Sequence, residues 1–262
     1  MKRLSLALAC LLGMHGSPAA ERPLSPGVEE IRPGVLAGYL DEGSLPDSVR
    51  LVPPPPEPGS PAARHDADVA AAALSAAGTA RWRQAVEDAD VGFPQATAHF
   101  ACAVRAQVTE QDAPNLYRLL RRSRTDADAS VDAAKDRYRR PRPFMVNGAS
   151  TCTPGKEQGL AGNGSYPSGH AAIGWAWALI LAELAPDRAD AVLARGLQVG
   201  ESRIACNVHW RSDVDQARLV ASATVARLHG EPVFRADMEL ARAELARIRE
   251  STPGSPEGCA DD

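Results

Sequence analysis

The chain has 262 residues, of which 44% are hydrophobic and 24% charged, and its formal net charge at pH 7 is -4. These proportions are typical of a globular protein with one substantial core or two small ones, and they argue against a largely disordered chain. The negative balance argues against nucleic acid or an anionic membrane as a partner held by bulk charge, so any bound anion needs a local site.

The first segment, residues 1–20, has the layout of a secretory signal peptide. Two cations precede an apolar run, and small residues close the segment: Lys2 and Arg3, then Leu4 to Leu12, then Ser17, Ala19 and Ala20. We therefore predict export to the periplasm and a mature chain that starts near residue 20. Cys10 lies within the apolar run and leaves a lipoprotein as the alternative.

The next segment, residues 21–63, is rich in proline and glycine. Its run Pro53–Pro56 must be extended, because the proline ring fixes φ and removes the backbone donor. We predict that this segment is an arm packed on the domain that follows.

From residue 64 to 250 the signals are helical almost throughout, and alternating runs of β-branched residues bounded by turns are missing. Thr109 is a candidate N-cap for the helix after it. The apolar stretch 171–185 is about fifteen residues long, short of the roughly twenty that span a bilayer, so it predicts a buried helix. We predict an all-α fold, with a single helical-bundle domain over 64–250 and a loose tail over 251–262.

Four cysteines remain after the predicted signal: Cys102, Cys152, Cys206 and Cys259. An even number in an exported chain favours two disulfides over free thiols or metal ligands, and three pairings are possible. No C-x-x-C pair occurs, so a structural zinc site has little support.

The first cluster that could carry chemistry is KDRYRRPRPF, residues 135–144. Lys135 and Arg142 are seven positions apart, which is about two helical turns and puts both cations near one face, and Pro141 and Pro143 end the helix there. The alternative is a solvated basic helix end that complements the helix dipole.

The second cluster is Pro-Ser-Gly-His, residues 167–170, directly before the apolar stretch. A turn there presents unpaired backbone N–H groups at a helix N-terminus, where the dipole also favours an anion. Ser168 adds a hydroxyl, Gly169 permits close backbone approach, and His170 enters the first turn. The alternative is an ordinary N-cap followed by a core histidine.

The third cluster is ESRIACNVHWRSDVDQAR, residues 201–218, which contains Arg203, His209 and Asp213. A carboxylate at one imidazole nitrogen fixes the tautomer and supports positive charge on the ring, and the other nitrogen is then free to attack. Taken alone, a His and an Asp four residues apart also suit a surface helix pair.

Together, K-x6-R-P, P-S-G-H and S-R-x5-H-x3-D occur in this order and resemble the signature shared by the type 2 phosphatidic acid phosphatase superfamily and the vanadium haloperoxidases. The stretches LPDSVRLVPPPPEPGS, NGSYPSGH and GWAWALILAELAPDR extend the likeness. Over most of residues 39–250 the chain is similar to the bacterial class A non-specific acid phosphatases, which are secreted, all-helical and typically oligomeric enzymes. The resemblance implies broad action on small phosphomonoesters without a metal or other cofactor.

The resemblance also implies roles for individual residues. His209 would be the nucleophile, Asp213 would orient and charge its ring, and His170 would protonate the leaving group and then activate water. The phosphate-binding residues would be Lys135, Arg142, Ser168, Gly169 and Arg203. The cysteines would pair as Cys152–Cys206 and Cys102–Cys259.

Several residues are expected to lie outside the site. Trp175 and Trp177 are predicted to pack in the core. For Arg137, Tyr138, Arg139 and Arg140 two interpretations stay open, a place at the rim of the pocket and solvated charge, of which solvated charge is preferred. No role is assigned to His65, His99 and His229. Two other functions stay open: a vanadate-dependent haloperoxidase, since vanadate suits the same set of ligands, and a non-catalytic exported anion-binding protein. An acid pH optimum is expected, because the general acid must be protonated.

Overall fold

The structure is a computed structural model that describes residues 27–251, Gly254, Pro256, Gly258 and Cys259. The predicted signal peptide over 1–20 lies outside the described residues. The described chain begins with two short antiparallel strands, β1 (Glu30–Arg32) and β2 (Val35–Leu36).

The rest is helical, which confirms the all-α prediction. The α-helices in chain order are α1 (Ser48–Leu51), α2 (Pro61–Ala73), α3 (Ala80–Glu87), α4 (Ala101–Val104), α5 (Pro114–Ala129), α6 (Asp132–Tyr138), α7 (Pro143–Asn147), α8 (Glu157–Ala161), α9 (Gly169–Leu184), α10 (Ala189–Ala205), α11 (Arg211–Leu228) and α12 (Pro232–Ser251). Short 3-10 helices lie at Glu42–Ser44, Leu74–Ala76, Gln95–Phe100, Pro154–Lys156 and Pro186–Arg188.

Thr109 does not cap α5, so that prediction is wrong. The Thr109 hydroxyl closes a separate turn, accepting from the Asp112 N–H (3.0 Å) and donating to the Asp112 carboxylate (2.7 Å). Helix α5 begins at Pro114 instead, where the fixed φ of proline suits the first helical position and no donor is lost.

Helix α9 is the centre of the core and packs against α5, α10 and α11. Trp177 is 2% exposed, its Nε1 donates to the Leu120 carbonyl (2.9 Å), and its ring meets Phe93 and Phe100 edge to face. Trp175 lies at the border of this core and donates to the Ser222 hydroxyl (3.0 Å). Both tryptophans therefore pack against protein, as predicted.

Three glycines let the central helices approach closely. A Cβ added at Gly174 of α9 would lie 2.6 Å from Val199, and one at Gly196 of α10 would lie 2.4 Å from Ala178. A Cβ at Gly200 would lie 2.8 Å from Val214 of α11. We call these three positions the glycine seam. The seam joins the three helices that carry His170, Arg203 and Asp213.

The proline-rich segment before α2 lies against the helical body. The backbone N–H of Tyr39 donates to the buried Asp126 carboxylate (2.9 Å) on α5. The Tyr166 hydroxyl donates to the Pro53 carbonyl (2.6 Å), and the Ser48 hydroxyl accepts from the Ala134 N–H (3.2 Å). These contacts fix the segment beside α6 and the loop that leads into α9.

The two disulfides are Cys102–Cys259 and Cys152–Cys206, so the pairing implied by the resemblance is confirmed. The first bond joins α4 to the tail, and the second joins the loop before α8 to the end of α10. No helix in the described part of the chain is both long enough and apolar enough for a bilayer span.

Candidate active site

Three buried cations lie in one region between α6, α7 and α10. Lys135 is 6% exposed, and Arg142 and Arg203 are each 2% exposed. Lys135 Nζ and Arg142 Nη2 both donate to the Gly164 carbonyl, at 3.0 and 3.4 Å. After burial, the positive charges of Arg142, Lys135 and Arg203 are the effects that lower the pKa of His209 most. The region therefore concentrates positive charge around one imidazole.

Arg142 and Arg203 differ in how their guanidinium groups are paired. Arg142 donates to the carbonyls of Leu160 (2.8 Å) and Val208 (3.1 Å), which fixes its position before α7. Arg203 is as deeply buried, yet its Nε and Nη1 have no hydrogen-bond partner among the described residues. Buried donors without a partner are costly and rare, so these two N–H groups indicate a place for an anionic ligand.

The three cations remain charged at neutral and acid pH. Burial, followed by the charge of Arg142, lowers the pKa of Lys135 to about 8. Burial also lowers the pKa of Arg142 and of Arg203 to about 10 in each case. Below pH 8 the region thus carries three positive charges that a tetrahedral oxyanion can neutralise.

The N-terminus of α9 faces the same region. Ser168 is the N-cap, with its hydroxyl accepting from the Ala171 N–H (3.3 Å) and its own N–H donating to the Asp213 carbonyl (3.0 Å). A Cβ on Gly169 would lie 2.8 Å from Asp128 Oδ1 and 3.9 Å from Lys135 Cε, so a larger residue at this position would displace the Asp128 carboxylate. The first-turn N–H groups that α9 itself cannot use add to the positive potential.

His209 is held in one tautomer by its two neighbours. Its Nδ1 donates to the Asp213 carboxylate (3.3 Å), which only accepts when ionised, and its Nε2 accepts from Arg142 Nη1 (3.0 Å). Burial, followed by the charges of Arg142, Lys135 and Arg203, holds the pKa of His209 well below its usual value. His209 is therefore neutral in the ligand-free protein, with its Nε2 unprotonated, as a nucleophile requires.

The loop that presents His209 is fixed at both sides. Asn207 adopts a left-handed conformation (φ 62°), which asparagine tolerates better than most residues. Its side-chain amide donates to the Ala149 carbonyl (2.9 Å) and accepts from Asn147 (2.9 Å). The neighbouring Cys206 is bonded to Cys152. These constraints set the position of the imidazole relative to Arg142.

His170 lies in the first turn of α9 and is oriented by the end of α3. Its Nε2 is 3.3 Å from the Ala89 carbonyl, which can only accept, so Nε2 carries a proton and Nδ1 is the nitrogen that titrates. Lys156 Nζ donates to the same carbonyl (3.2 Å). Desolvation, followed by the charges of Arg203 and His209, holds the pKa of His170 well below its usual value.

The structure thus brings all eight predicted site residues together. The set is Lys135, Arg142, Ser168, Gly169, His170, Arg203, His209 and Asp213. Within the described residues, no group of three or more His, Cys, Asp or Glu side chains has the arrangement of a metal site.

One interpretation made from the sequence is wrong. Arg137 and Arg139 are exposed, as expected for solvated charge, but Arg140 is not. Its side chain is 11% exposed and pairs with the buried carboxylates of Asp213 (2.6 Å) and Asp66 (2.7 Å). Asp66 belongs to α2, far from the motifs in the sequence, so no local spacing pointed to this pair. The Ala89 carbonyl, which accepts from His170, is a backbone group, so a search for motif side chains could not identify it either.

Comparison with known proteins places this constellation in a family. A model described as the PAP2 superfamily matches residues 126–229, which include all eight predicted site residues. The "Non-specific acid phosphatase" of Providencia stuartii is 40% identical over 251 residues, covering 95% of this chain and 100% of that protein. The "Acid phosphatase" of Zymomonas mobilis is 42% identical over 206 residues, covering 78% of each chain.

A third relative, the "Non-specific acid phosphatase" of Salmonella typhimurium, is 40% identical over 195 residues, covering 74% of this chain and 78% of that protein. The chain belongs to the PAP2 superfamily and, within it, to the non-specific acid phosphatases, which makes it a phosphoric monoester hydrolase.

Proposed function

We propose that this acid phosphatase hydrolyses a broad range of small phosphomonoesters through a phosphohistidine intermediate, without a metal ion. One observation carries the proposal: the neutral His209, whose unprotonated Nε2 accepts from Arg142, lies beside the buried Arg203, which has two unpaired N–H groups. The first group supplies a nucleophile, and the second supplies donors for the oxygens of a phosphoryl group.

In the first step, His209 Nε2 attacks phosphorus, the N–P bond forms and the bond to the leaving oxygen breaks. Lys135, Arg142 and Arg203 bind the non-bridging oxygens together with Ser168 and the Gly169 N–H. Asp213 stabilises the positive charge that develops on the imidazole. Charge in this reaction spreads over three equatorial oxygens, so positioned donors provide most of the stabilisation.

His170 serves both steps from its Nδ1. Protonated, it gives a proton to the leaving alkoxide, a contribution of about 10²- to 10⁴-fold in rate. Neutral, it takes a proton from the water that attacks the phosphohistidine, after which the N–P bond breaks and His209 regains its lone pair. Since His170 must begin the cycle protonated, the proposal includes an acid pH optimum.

Ligand binding should restore the protonation that this role needs. After desolvation, the charge of Arg203 is the largest effect that lowers the pKa of His170. A bound oxyanion neutralises that charge, so binding the anion raises the pKa of His170 and takes up a proton. We therefore predict that affinity for sulfate rises as pH falls from 7 to 5. Sulfate is suitable because it stays a dianion, and Lys135 stays protonated, over that range.

Calorimetric titration in two buffers of different ionisation enthalpy measures this proton uptake.

The same pKa shifts determine how the stability of the folded protein depends on pH. Histidines with a pKa lowered in the folded state favour unfolding below their unfolded pKa, so the ligand-free protein loses stability as pH falls below about 6.5. Sulfate should offset part of this loss, giving a larger Tm increase at pH 5 than at pH 7. Affinity independent of pH would contradict the coupling.

The proposed function is tested by turnover of p-nitrophenyl phosphate at acid pH in the presence of EDTA. Undiminished turnover supports the metal-independent mechanism, and its loss in EDTA overturns it. Quenching with alkaline detergent during turnover of a ³²P-labelled monoester should trap label on the protein that is stable in alkali and labile in acid. The absence of such label under burst conditions would argue against a phosphohistidine.

Two further measurements, set beside this assay, separate the phosphatase from a haloperoxidase and from a non-catalytic anion-binding protein. A haloperoxidase would oxidise bromide with hydrogen peroxide when loaded with vanadate, and a binding protein would bind phosphate without turnover. The relatives named as acid phosphatases favour hydrolysis. Export to the periplasm stays a prediction of the signal-like segment 1–20, and assembly into a homo-oligomer stays a prediction of the resemblance. Cell fractionation and light scattering test them.

A further inference from the structure

A chain of alternating charges leads from α2 to the predicted nucleophile. Asp213 is fully buried, and its Oδ2 accepts from His209 Nδ1 (3.3 Å) and from the Trp210 N–H (2.9 Å). Its other oxygen, Oδ1, accepts from Arg140 Nη1 (2.6 Å). Both oxygens of the carboxylate that faces the imidazole are therefore occupied, one by the catalytic ring and one by an arginine outside the motifs.

Arg140 is held in turn by a second buried carboxylate. Its Nη2 donates to Asp66 Oδ2 (2.7 Å), and Asp66 is 2% exposed. Asp66 Oδ1 accepts from the Ser212 N–H (2.9 Å), and the Ser212 hydroxyl accepts from Arg140 Nη1 (2.8 Å). The guanidinium also lies over the Trp210 ring, 5.2 Å from its centroid. Arg140 is thus fixed on three sides beside the first turn of α11.

The location of Asp213 explains why it needs this support. Burial raises the pKa of Asp213, and the charge of Arg140 is the largest effect that lowers it. Trp210 and Ser165 lower it further by hydrogen bonding. A protonated Asp213 could not stabilise a positive imidazole, so Arg140 keeps the carboxylate in the form that the first step requires.

We propose that Arg140 and Asp66 are positioning residues, with Arg140 holding Asp213 ionised against His209 and Asp66 fixing Arg140. This inference rests on the proposed function. Asp66 lies outside residues 126–229, so the support comes from a helix that the superfamily match does not include. The buried guanidinium of Arg140 has a carboxylate on each side, so its own positive charge is compensated at this depth.

The principal test compares Arg140→Met with Arg140→Lys in the full-length protein, using pH profiles of kcat/KM for p-nitrophenyl phosphate. Without the cation, Asp213 binds its proton more tightly, so the acid limb of the Met variant should move up by about one pH unit. Its kcat should fall by about 10- to 10²-fold. KM should change little, because the phosphate ligands are untouched. The Lys variant keeps the charge, so its acid limb should stay close to that of the parent protein.

A double-mutant cycle tests the place of Asp66 in the chain. Asp66→Asn should reduce kcat when Arg140 is present and should have little further effect in the Arg140→Met background, because Asp66 acts through Arg140. Additive losses would overturn that order. Arg137→Met is the matched control, since Arg137 is an exposed cation on the same segment and should leave rate and profile unchanged.

The outcomes separate this inference from the proposed function. If the parent protein does not hydrolyse the monoester, the proposed function fails. If it does, and Arg140→Met keeps the parental acid limb, the positioning role is overturned. If Arg140→Met does not fold, as judged by circular dichroism, Arg140→Lys and Asp66→Asn carry the test. The downfield NMR signal of the His209 Nδ1 proton in sulfate should then move upfield in Asp66→Asn and stay in place in Arg140→Lys. An unchanged signal in Asp66→Asn would overturn the proposal.

Discussion

His209→Ala is expected to lower kcat for p-nitrophenyl phosphate by at least about 10⁴-fold while leaving the protein folded, since removal of a covalent nucleophile costs roughly this much or more. The imidazole is the group that the surrounding charges orient, with Asp213 at Nδ1 and Arg142 at Nε2. Alanine leaves these partners in place and removes the only atom proposed to bond phosphorus. Steady-state rates and the Tm with and without sulfate measure the effect.

The matched control is His229→Ala. His229 is half-exposed at the end of α11 and pairs with Glu183 (3.1 Å), remote from the motif residues in the sequence. Its loss should leave kcat within about twofold, as expected for a surface substitution. A His209→Ala protein that still turns over at the parental rate would refute the nucleophile assignment, whatever the result for the control.

Arg203→Met is expected to lower kcat/KM by about 10²- to 10³-fold, in line with the removal of one oxyanion donor group. The same change should not destabilise the ligand-free protein, because it replaces a buried guanidinium that has two unpaired N–H groups with an apolar side chain of similar length. Activity and stability should therefore move separately, with lower turnover and a Tm that is unchanged or higher.

Thermal unfolding with increasing sulfate completes this test. The parent protein should be stabilised by sulfate, and Arg203→Met should have lost most of that stabilisation. Arg227→Met, at an exposed arginine paired with Glu231 (2.8 Å), provides a control that should keep both activity and sulfate response. A large drop in Tm for Arg203→Met without ligand would show that Arg203 is a structural cation rather than a binding group.

The sequence predicted the helical fold, and it singled out eight residues that the structure brings together, because the signals for both are local. Apolar periodicity and the absence of strand patterns are sufficient for an all-α domain. In the site, Ser168, Gly169 and His170 are adjacent, and His209 and Asp213 are four residues apart. The Cys152–Cys206 bond was also predicted, though from the resemblance rather than from spacing.

What escaped prediction depends on contacts between distant segments. Arg140 is one of several arginines in its segment, and only the packing of α2 against α11 distinguishes it by bringing Asp66 within 2.7 Å. The Ala89 carbonyl that orients His170 is a backbone group, which carries no sequence signal at all. The prediction that Thr109 caps a helix was wrong because a threonine before acidic residues suits an isolated turn as well as a helix cap.

The glycine seam rules out one common way of raising the thermal stability of an enzyme, which is the exchange of helical glycine for alanine. Exchanging helical glycine for alanine usually gains about 0.4–1 kcal/mol, chiefly by restricting the unfolded chain. At Gly174, Gly196 and Gly200 the added methyl group would overlap a neighbouring helix, so the gain is reversed into steric repulsion. Attempts to make this phosphatase heat-resistant should therefore leave the centre of the bundle alone and alter surface positions on α12 instead.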